Sequence, residues 1–328
     1  MDYNSLIYQE KKEGGLKDLF FRLAGDGYIQ MEIGSNQVFD LMDSFRLFKI
    51  TEELEKRAPV EGLIEYGMGF RTLMLKYDPV VIDYMDLISI LVDIDSKITS
   101  IEKSEFTVRE ISLPIVFEDE VTRNSIRYYI NNIKRTPDYV IDDHNIAYVA
   151  KYNGISKDEL KEKVTGTGWI IIHELFFPGG PFQLPLDPRS AIEAPKYNPS
   201  RTFTAEGTVG VGGKCLFIYT MNSPGGYQIL GRTIPTWQYN QSHPDFKKNP
   251  FILYPKDIIR YRETSEDDVL SIYEQVSSGS DLFRYNFNRR KFRVSDWIKE
   301  YQNENVLDDL RKFQKGKENA KKKLLSEV

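Results

Sequence analysis

Cysteine and histidine are scarce in this sequence of 328 residues. Cys215 is the one cysteine, and the three histidines, His144, His173 and His243, lie far apart along the chain. A single cysteine excludes a disulfide bond within the chain and is typical of proteins from reducing compartments. Neither residue type supplies the closely spaced ligands of a zinc or iron–sulfur site, so we expect no bound metal.

The sequence also has no excess of basic residues and no long hydrophobic run. Its 44 Lys and Arg residues are outnumbered by 49 Asp and Glu residues, so the composition does not favour nucleic-acid binding. The most apolar stretch, residues 80–94, is interrupted by Asp83, Asp86 and Asp93 and is shorter than a membrane-spanning helix. The N-terminal segment lacks the apolar region of a secretory signal. We therefore predict a cytoplasmic protein with no nucleic-acid or membrane partner.

Common catalytic motifs are missing as well. No G-x-S-x-G nucleophile elbow occurs in the chain. The glycine-rich segment GTVGVGGKC (207–215) resembles a phosphate-binding loop, but Thr208 stands where that loop has glycine and Cys215 where it has Ser or Thr. We interpret this segment as a turn between strands, and we expect no nucleotide site in it.

The N-terminal third has the pattern of a small mixed domain. Apolar and polar residues alternate in some segments, as in half-buried strands, and recur at three- and four-residue spacing in others, as in helices. In chain order the predicted elements are a strand at 28–33, a helix from Val38 to Pro59, a strand pair at 62–68 and 71–77, and a helix at 80–98. This β-α-β-β-α order predicts a ferredoxin-like α/β domain over residues 1–104.

Beyond residue 104 the sequence pattern is first mostly helical and then, from about residue 165, typical of short strands. Short strand-like segments separated by Gly- and Pro-rich turns are typical of a β-barrel or sandwich. The predicted elements are a strand at 106–117, a helical insert at about 121–162, strands between 165 and 263, and a helix at 265–277. We therefore predict a β domain over residues 105–285, followed by a charged helical tail over 286–328.

Three segments of the β domain combine turn-forming residues with polar side chains: FFPGGPFQLPLDPR (176–189), KYNPSRTFT (196–204) and SPGGYQILGRT (223–233). Proline restricts the backbone, and glycine permits close approach of other groups. The guanidinium groups of Arg189, Arg201 and Arg232 match a carboxylate, and the amides of Asn198 and Gln228 match an amide or ureido group.

The residues alone leave two interpretations open. Each segment alone is more typical of an ordinary solvated turn, with Arg201 paired to Glu206 and with Tyr197 and Tyr227 packed in the barrel. The second interpretation is a polar pocket with Gln228 and Arg232 facing inward.

A family resemblance is carried by long stretches of the second half. The segments PGGYQILGRT (224–233), LDPR (186–189) and PKYNPSRTFT (195–204) resemble motifs of the family that contains allophanate hydrolase subunit 1, KipI and a 5-oxoprolinase subunit. This family is also described as carboxyltransferase subdomain C and D. The match is closest to the carboxyltransferase region of urea carboxylase, and it covers roughly residues 20–315.

The resemblance implies an α+β fold, with an N-terminal ferredoxin-like domain followed by a cyclophilin-like β-barrel. It implies an enzyme subunit, inactive alone, that helps to transfer a carboxyl group from carboxybiotin to urea or a related small amide. The implied partners are a second carboxyltransferase subunit of allophanate hydrolase subunit 2 type, a biotin carboxylase and a biotin carrier. The resemblance also implies that no cofactor is bound covalently to this chain, that a separate carrier presents carboxybiotin, and that a partner uses ATP.

Candidate site residues follow from the resemblance. Arg232 and Gln228 are predicted as catalytic groups, with Arg232 and the backbone N–H groups near Gly225 and Gly226 facing the charge that develops on the biotin ureido oxygen. The predicted substrate-binding residues are Asn198, Arg201, Tyr227, Gly225, Gly226 and Arg189.

Two alternative functions stay open within the same family. One is a subunit of an ATP-dependent 5-oxoprolinase, an amide or lactam hydrolase. The other is a KipI-like inhibitor of a histidine kinase, which would bind without turnover.

Overall fold

The computed structural model describes residues 6–12, 15–35 and 37–326. It divides into two compact units. The first contains residues 1–106 and 291–298, and the second contains residues 107–290 and 299–328. Residues 286–328 therefore do not form a separate unit, because they are shared between the two.

The described residues form both strands and helices, with the strands β7 to β14 following one another without an intervening α-helix. The strands are β1 (Leu6–Glu10), β2 (Leu19–Leu23), β3 (Tyr28–Ile33), β4 (Leu63–Met68), β5 (Thr72–Tyr77), β6 (Glu105–Phe117), β7 (Trp169–Glu174), β8 (Pro181–Pro185), β9 (Arg201–Thr204), β10 (Thr208–Gly212), β11 (Cys215–Ile218), β12 (Ser223–Gly225), β13 (Gln228–Arg232), β14 (Ile258–Glu263) and β15 (Phe287–Arg293). The helices are α1 (Leu41–Lys56), α2 (Tyr84–Ser96), α3 (Glu120–Asn132), α4 (Ile146–Asn153), α5 (Lys157–Thr165), α6 (Glu266–Ser278), α7 (Val294–Tyr301) and α8 (Glu304–Ser326). The fold is mixed α+β, as predicted.

The first unit contains a five-stranded antiparallel sheet in the order β1-β2-β3-β5-β4. Its β3-α1-β4-β5-α2 section is the predicted β-α-β-β-α order, and β4 and β5 form the predicted hairpin. β1 and β2 extend the sheet beyond that prediction. Alternate residues of β3, Ile29, Met31 and Ile33, are buried, because successive side chains of a strand point to opposite faces.

Helix α1 begins later than its apolar spacing predicts. Val38 is 87% exposed, and the helix starts at Leu41, after the N-cap residue Asp40. The carboxylate of Asp43 accepts a hydrogen bond from the backbone N–H of Asp40 at 3.1 Å, which satisfies one of the donors at the helix start. Val38 therefore belongs to the exposed connection before α1.

The second unit is built around a closed ring of strands. The ring runs β13-β10-β11-β8-β7-β14-β6, and β13 pairs again with β6 through Gly231↔Phe117 and Arg232↔Val116. β15 adds to the outer side of β6. Closure leaves none of the seven strands as an edge, which distinguishes this sheet from a sandwich. A separate two-stranded ribbon is formed by β9 and β12.

Helices α3, α4 and α5 form the predicted insert of the second unit. Gly154 ends α4 in the left-handed conformation (φ 69°), and the side chain of Ser156 accepts from the backbone N–H of Glu159 at the start of α5. The same glycine lies against α8, where a Cβ atom on Gly154 would be 2.9 Å from the carbonyl oxygen of Gly316. None of the described helices is both long and apolar enough to cross a membrane.

Candidate functional site

The glycine-rich turn between β12 and β13 is held by hydrogen bonds from three other segments. The backbone N–H of Tyr197 donates to the carbonyl of Gly226 at 2.6 Å. The Arg201 guanidinium donates through Nη1 to the carbonyl of Tyr227 at 2.8 Å, and the Tyr219 hydroxyl accepts from the Tyr227 N–H at 3.3 Å. These bonds fix the backbone at residues 226 and 227, so this turn is not a freely solvated loop.

Glycine is required in this region because two tyrosine rings lie directly against the backbone. A Cβ atom on Gly225 would lie 2.3 Å from the ring of Tyr219, and one on Gly212 would lie 2.3 Å from the ring of Tyr227. Gly226 is less restricted, since its Cβ atom would first meet the Ser200 hydroxyl at 3.0 Å. The glycines therefore make room for the rings that line the adjacent cavity.

The turn forms one wall of a cavity of about 430 Å³ in the second unit. Half of its ten lining residues are aromatic, and the lining includes one lysine and one serine: Phe176, Phe182, Lys196, Ser200, Phe217, Tyr219, Pro224, Gly225, Gly226 and Tyr227. The ring centroids of Phe182 and Phe217 are 4.7 Å apart, and Lys196 Nζ lies 5.4 Å from the ring centroid of Tyr227. Among the described residues that line the cavity, none carries a carboxylate.

The rim of the cavity includes a strained aromatic residue. Phe176 has a φ of 79°, which a residue other than glycine rarely adopts, and its side chain is 69% exposed. Its ring packs edge-on against Phe177 at 4.4 Å. Residues held in such sparsely populated backbone conformations cluster at active sites and ligand-binding sites.

The thiol and phenol groups in this region stay protonated at neutral pH. Burial raises the pKa of the Cys215 thiol and of the Tyr227 phenol, and the two groups hydrogen-bond each other at 3.2 Å. Burial also raises the pKa of Tyr219. Neither a thiolate nor a phenolate is therefore present as a nucleophile or base, and the site can act by binding and orienting a ligand.

Two predicted ligand contacts, Arg201 and Gln228, lie behind the turn. Both side chains are fully or almost fully buried. Gln228 donates from Nε2 to the carbonyl of Pro195 at 2.9 Å, and Arg201 donates from Nε to the Thr204 hydroxyl at 3.1 Å. Nη2 of Arg201 and Oε1 of Gln228 are buried and have no hydrogen-bond partner within the part of the chain that the structure describes. Both residues support the cavity wall, and the expectation that Gln228 faces into the pocket is not met.

The other two predicted arginines lie elsewhere in the second unit. Arg232 donates from Nε to the carbonyl of Glu206 at 3.1 Å, and its guanidinium lies 4.5 Å from the ring centroid of Tyr273. Arg189 is paired with Asp187, 2.7 Å away and two residues earlier in the chain. The expectation that Arg232 faces into the same pocket as the turn is therefore not met either. The predicted pairing of Arg201 with Glu206 is also absent, because Arg201 bonds to the residues described above.

Four of the predicted site residues lie at or beside the cavity. Gly225, Gly226 and Tyr227 line it, and Asn198 is exposed between the lining residues Lys196 and Ser200. The sequence interpretation missed the lining residues outside the turn: Phe176, Phe182, Lys196, Ser200, Phe217 and Tyr219. Four of these six lie in segments 176–189 and 196–204, so the segments are a usable signal. The aromatic residues in these two segments are missed because only their planar polar side chains are predicted as ligand contacts.

Comparison with known proteins identifies the family. The model of the carboxyltransferase domain, subdomain C and D, matches residues 19–247. The chain is 31% identical over 318 residues to urea amidolyase from Lachancea kluyveri, which covers 96% of this chain but 17% of that protein. It is 24% identical over 262 residues to a 5-oxoprolinase subunit from Bacillus subtilis, covering 73% of this chain and 97% of that protein.

A solved structure agrees with these relationships. The crystal structure of Kluyveromyces lactis urea carboxylase superposes with a TM-score of 0.83 at 27% identity, covering 97% of this chain and 28% of that one. The chain thus spans less than a third of the length of either urea-processing relative. The match to the family model extends over most of the first unit and of the barrel, including the turn and the cavity described above. This chain belongs to the carboxyltransferase domain family, subdomain C and D.

Proposed function

We propose that this chain supplies one part of a biotin-dependent carboxyltransferase, which transfers a carboxyl group from carboxybiotin to urea or a related small amide. The observation that supports this most directly is the aromatic cavity beside the turn, which contains a lysine and no carboxylate. Its volume lies within the range of small-molecule sites, about 300–1,000 Å³. The near-complete coverage of this chain by the urea amidolyase alignment favours the same reaction.

The lining of the cavity fits a carboxylated ureido ring. The rings of Phe182, Phe217 and Tyr219 provide apolar surface for a bicyclic ring. Lys196 provides a positive charge for a carboxylate, and the lack of acidic lining residues avoids repulsion of that group. When bound, carboxybiotin would supply the activated carboxyl group.

The protein groups then have distinct proposed roles. Lys196 holds the carboxylate at the cavity, and the backbone N–H groups of Gly225 and Gly226 are the proposed donors to the ureido oxygen as charge develops there. Tyr227 and the neighbouring aromatic rings exclude water. Asn198 remains a proposed contact for the amide of the acceptor.

Arg201 and Gln228 have a positioning role in this proposal. Arg201 bonds to the Tyr227 carbonyl and Gln228 to the Pro195 carbonyl, so both hold segments that line the cavity. Such positioning contributes to catalysis by keeping the ligand in a reactive orientation. We do not propose Arg189 or Arg232 as ligand contacts, because their side chains are engaged elsewhere.

The test uses the complete enzyme, with this chain co-expressed with a second carboxyltransferase subunit, a biotin carboxylase and a biotin carrier. ATP consumption is measured with urea, another small amide or 5-oxoproline, with and without bicarbonate, and with avidin added to block biotin. We expect acceptor-dependent ATP consumption that requires bicarbonate and is abolished by avidin. Lys196→Met should lower kcat/KM for the acceptor by about tenfold or more.

Lys248→Met is the matched control, since it removes an exposed lysine in the same unit. Bicarbonate-dependent ATP cleavage by the carboxylase with free biotin should be unchanged in both variants. Equal activity of the Lys196→Met and Lys248→Met enzymes would contradict the proposed site.

The second candidate function is 5-oxoprolinase, which the near-complete coverage of the Bacillus subtilis protein favours. Its signature in the same assay is ATP consumption that requires 5-oxoproline and is insensitive to both avidin and bicarbonate. That outcome would replace carboxyl transfer as the reaction.

A further inference from the structure

A second cavity of about 300 Å³ lies where the chain continues beyond β13. The segment 235–240 forms most of its wall, and Glu206 and Ser277 complete it. This segment begins two residues after the GRT sequence (231–233) of the turn motif. Two neighbouring stretches of the chain therefore line two different cavities. Residues 224–227 of the motif line the cavity proposed for carboxyl transfer, and residues 235–240 after the motif line the second cavity.

Glu206 is held in place beside this cavity by three hydrogen bonds. Its backbone N–H donates to Asn222 Oδ1 at 2.9 Å, and its carbonyl accepts from Arg232 Nε at 3.1 Å. Its carboxylate oxygen Oε2 accepts from the Tyr273 hydroxyl at 3.0 Å. The other oxygen, Oε1, has no hydrogen-bond partner among the described residues. A fixed carboxylate with one available oxygen therefore lines the cavity.

Two aromatic rings line the same cavity as this carboxylate. The ring centroids of Trp237 and Tyr239 are 6.2 Å apart with an angle of 39° between the planes, and Tyr239 is 83% exposed. Gln238, between them, is fixed by its Nε2 donating to the Val276 carbonyl at 2.9 Å and its Oε1 accepting from the His243 N–H at 2.8 Å. The backbone that carries both rings is therefore held in position.

Among the described residues, neither lysine nor arginine lines the cavity, and Arg232 is engaged by the Glu206 carbonyl and the Tyr273 ring. Aromatic faces attract cations, and a carboxylate adds a direct charge interaction. Burial raises the pKa of the Glu206 carboxyl, while Tyr273 and Arg232 lower it, so a bound cation would add to the groups that favour its ionised form.

We propose that this second cavity binds a small organic cation, of the ammonium or guanidinium type, between the Glu206 carboxylate and the rings of Trp237 and Tyr239. The inference is independent of the carboxyl-transfer proposal, because it concerns a different set of residues. It assigns Glu206, and the aromatic residues Trp237 and Tyr239 after the turn motif, to ligand binding rather than to packing, since Tyr239 is largely exposed.

The test is an NMR titration of the full chain, following the indole N–H signal of Trp237. The chain has three tryptophans, so Trp237→Phe assigns the signal. The probes are choline, methylguanidinium and the neutral isostere of choline, 3,3-dimethyl-1-butanol. We expect a saturable shift with at least one of the two cations and none with the alcohol. Glu206→Gln, which keeps the side-chain shape, should weaken cation binding about fivefold or more.

Lys196→Met is the matched control, since it alters the first cavity alone and should leave cation binding unchanged. A circular dichroism spectrum of each variant confirms that it is folded. Equal binding of the neutral alcohol, unchanged affinity in Glu206→Gln, or no response to either cation would each overturn the proposal. None of these outcomes bears on carboxyl transfer, whose test depends on Lys196.

Discussion

At the scale of single residues, Gly225 and Gly226 are neighbours in sequence but have different structural requirements. Gly225 lies against the ring of Tyr219, where no Cβ atom fits, whereas Gly226 faces the hydroxyl of an exposed serine. We expect Gly225→Ala to displace the Tyr219 ring and to weaken its bond to Tyr227. The loss in free energy of unfolding should be about 1–3 kcal/mol, as for other overpacked positions.

Gly226→Ala is the control for this prediction. The Ser200 side chain can rotate away from the added methyl group, so the expected loss is about 0.5 kcal/mol or less. Urea denaturation measures both variants, and near-UV circular dichroism reports the packing of the tyrosines. If the two variants lose the same stability, contact with the Tyr219 ring is not what requires glycine at position 225.

At the scale of elements, the strands and helices that sequence predicts best are those with one buried face. β3 and the β4–β5 hairpin lie where alternation predicts them, and α2 lies within the predicted range 80–98 but begins at Tyr84. β13 is different, because all five of its residues are buried. Alternation in such a strand cannot distinguish a cavity-facing side chain from one packed in the interior. For this reason the orientation of Gln228 and Arg232 could not be predicted from the sequence.

The closure of the barrel is a second feature that local sequence cannot predict. It depends on contact between β13 and β6, which are more than 100 residues apart in the chain. Turn chemistry predicts neighbouring strands, whereas closure depends on which distant backbones can approach closely. The glycine that permits this approach, Gly231, belongs to a recognisable motif, but nothing in that motif indicates its partner strand.

Gly231→Ala is therefore expected to open the barrel. A Cβ atom on Gly231 would lie 2.1 Å from the carbonyl oxygen of Val116, and backbone cannot move aside as a side chain can. We expect a loss in free energy of unfolding of about 3 kcal/mol or more, together with faster amide hydrogen exchange in β6 and β13. Urea denaturation and hydrogen exchange measure the two effects.

Gly213→Ala is the matched control for barrel closure. Gly213 has a φ of 58° and open space around its Cβ position, so it tests the backbone penalty without a steric clash. Its expected cost is about 1 kcal/mol. Faster exchange in β6 after Gly213→Ala, or normal exchange there after Gly231→Ala, would argue against the role assigned to Gly231.

At the scale of the whole molecule, buried titratable groups in the second unit make stability depend on pH in opposite directions. Burial lowers the pKa of His144 to about 3 and that of His173 to about 4. The unfolded chain binds protons at these histidines below about pH 6.5 while the folded chain does not, so their contribution to stability falls as pH decreases through this range.

Glu174 has the opposite effect. Burial raises its pKa to about 8, with Asp257 adding to the shift and Arg109 opposing it. Its oxygen Oε1 is buried and has no hydrogen-bond partner among the residues that the structure describes. The folded chain keeps this proton up to about pH 8, whereas the unfolded chain loses it near pH 4.5. Stability contributed by Glu174 is therefore present below about pH 4.5 and is lost as pH rises towards 8.

Glu174→Gln isolates this contribution, because the amide has nearly the same shape and does not ionise. At pH 5 the variant and the natural chain should differ little in free energy of unfolding. At pH 8 the variant should be more stable by about 1–3 kcal/mol, since the natural chain must hold a poorly solvated carboxylate. Urea denaturation at pH 5, 6.5 and 8 measures the difference. A difference that is constant across this range would show that Glu174 titrates alike in the folded and unfolded chains, and that it does not account for a loss of stability above neutral pH.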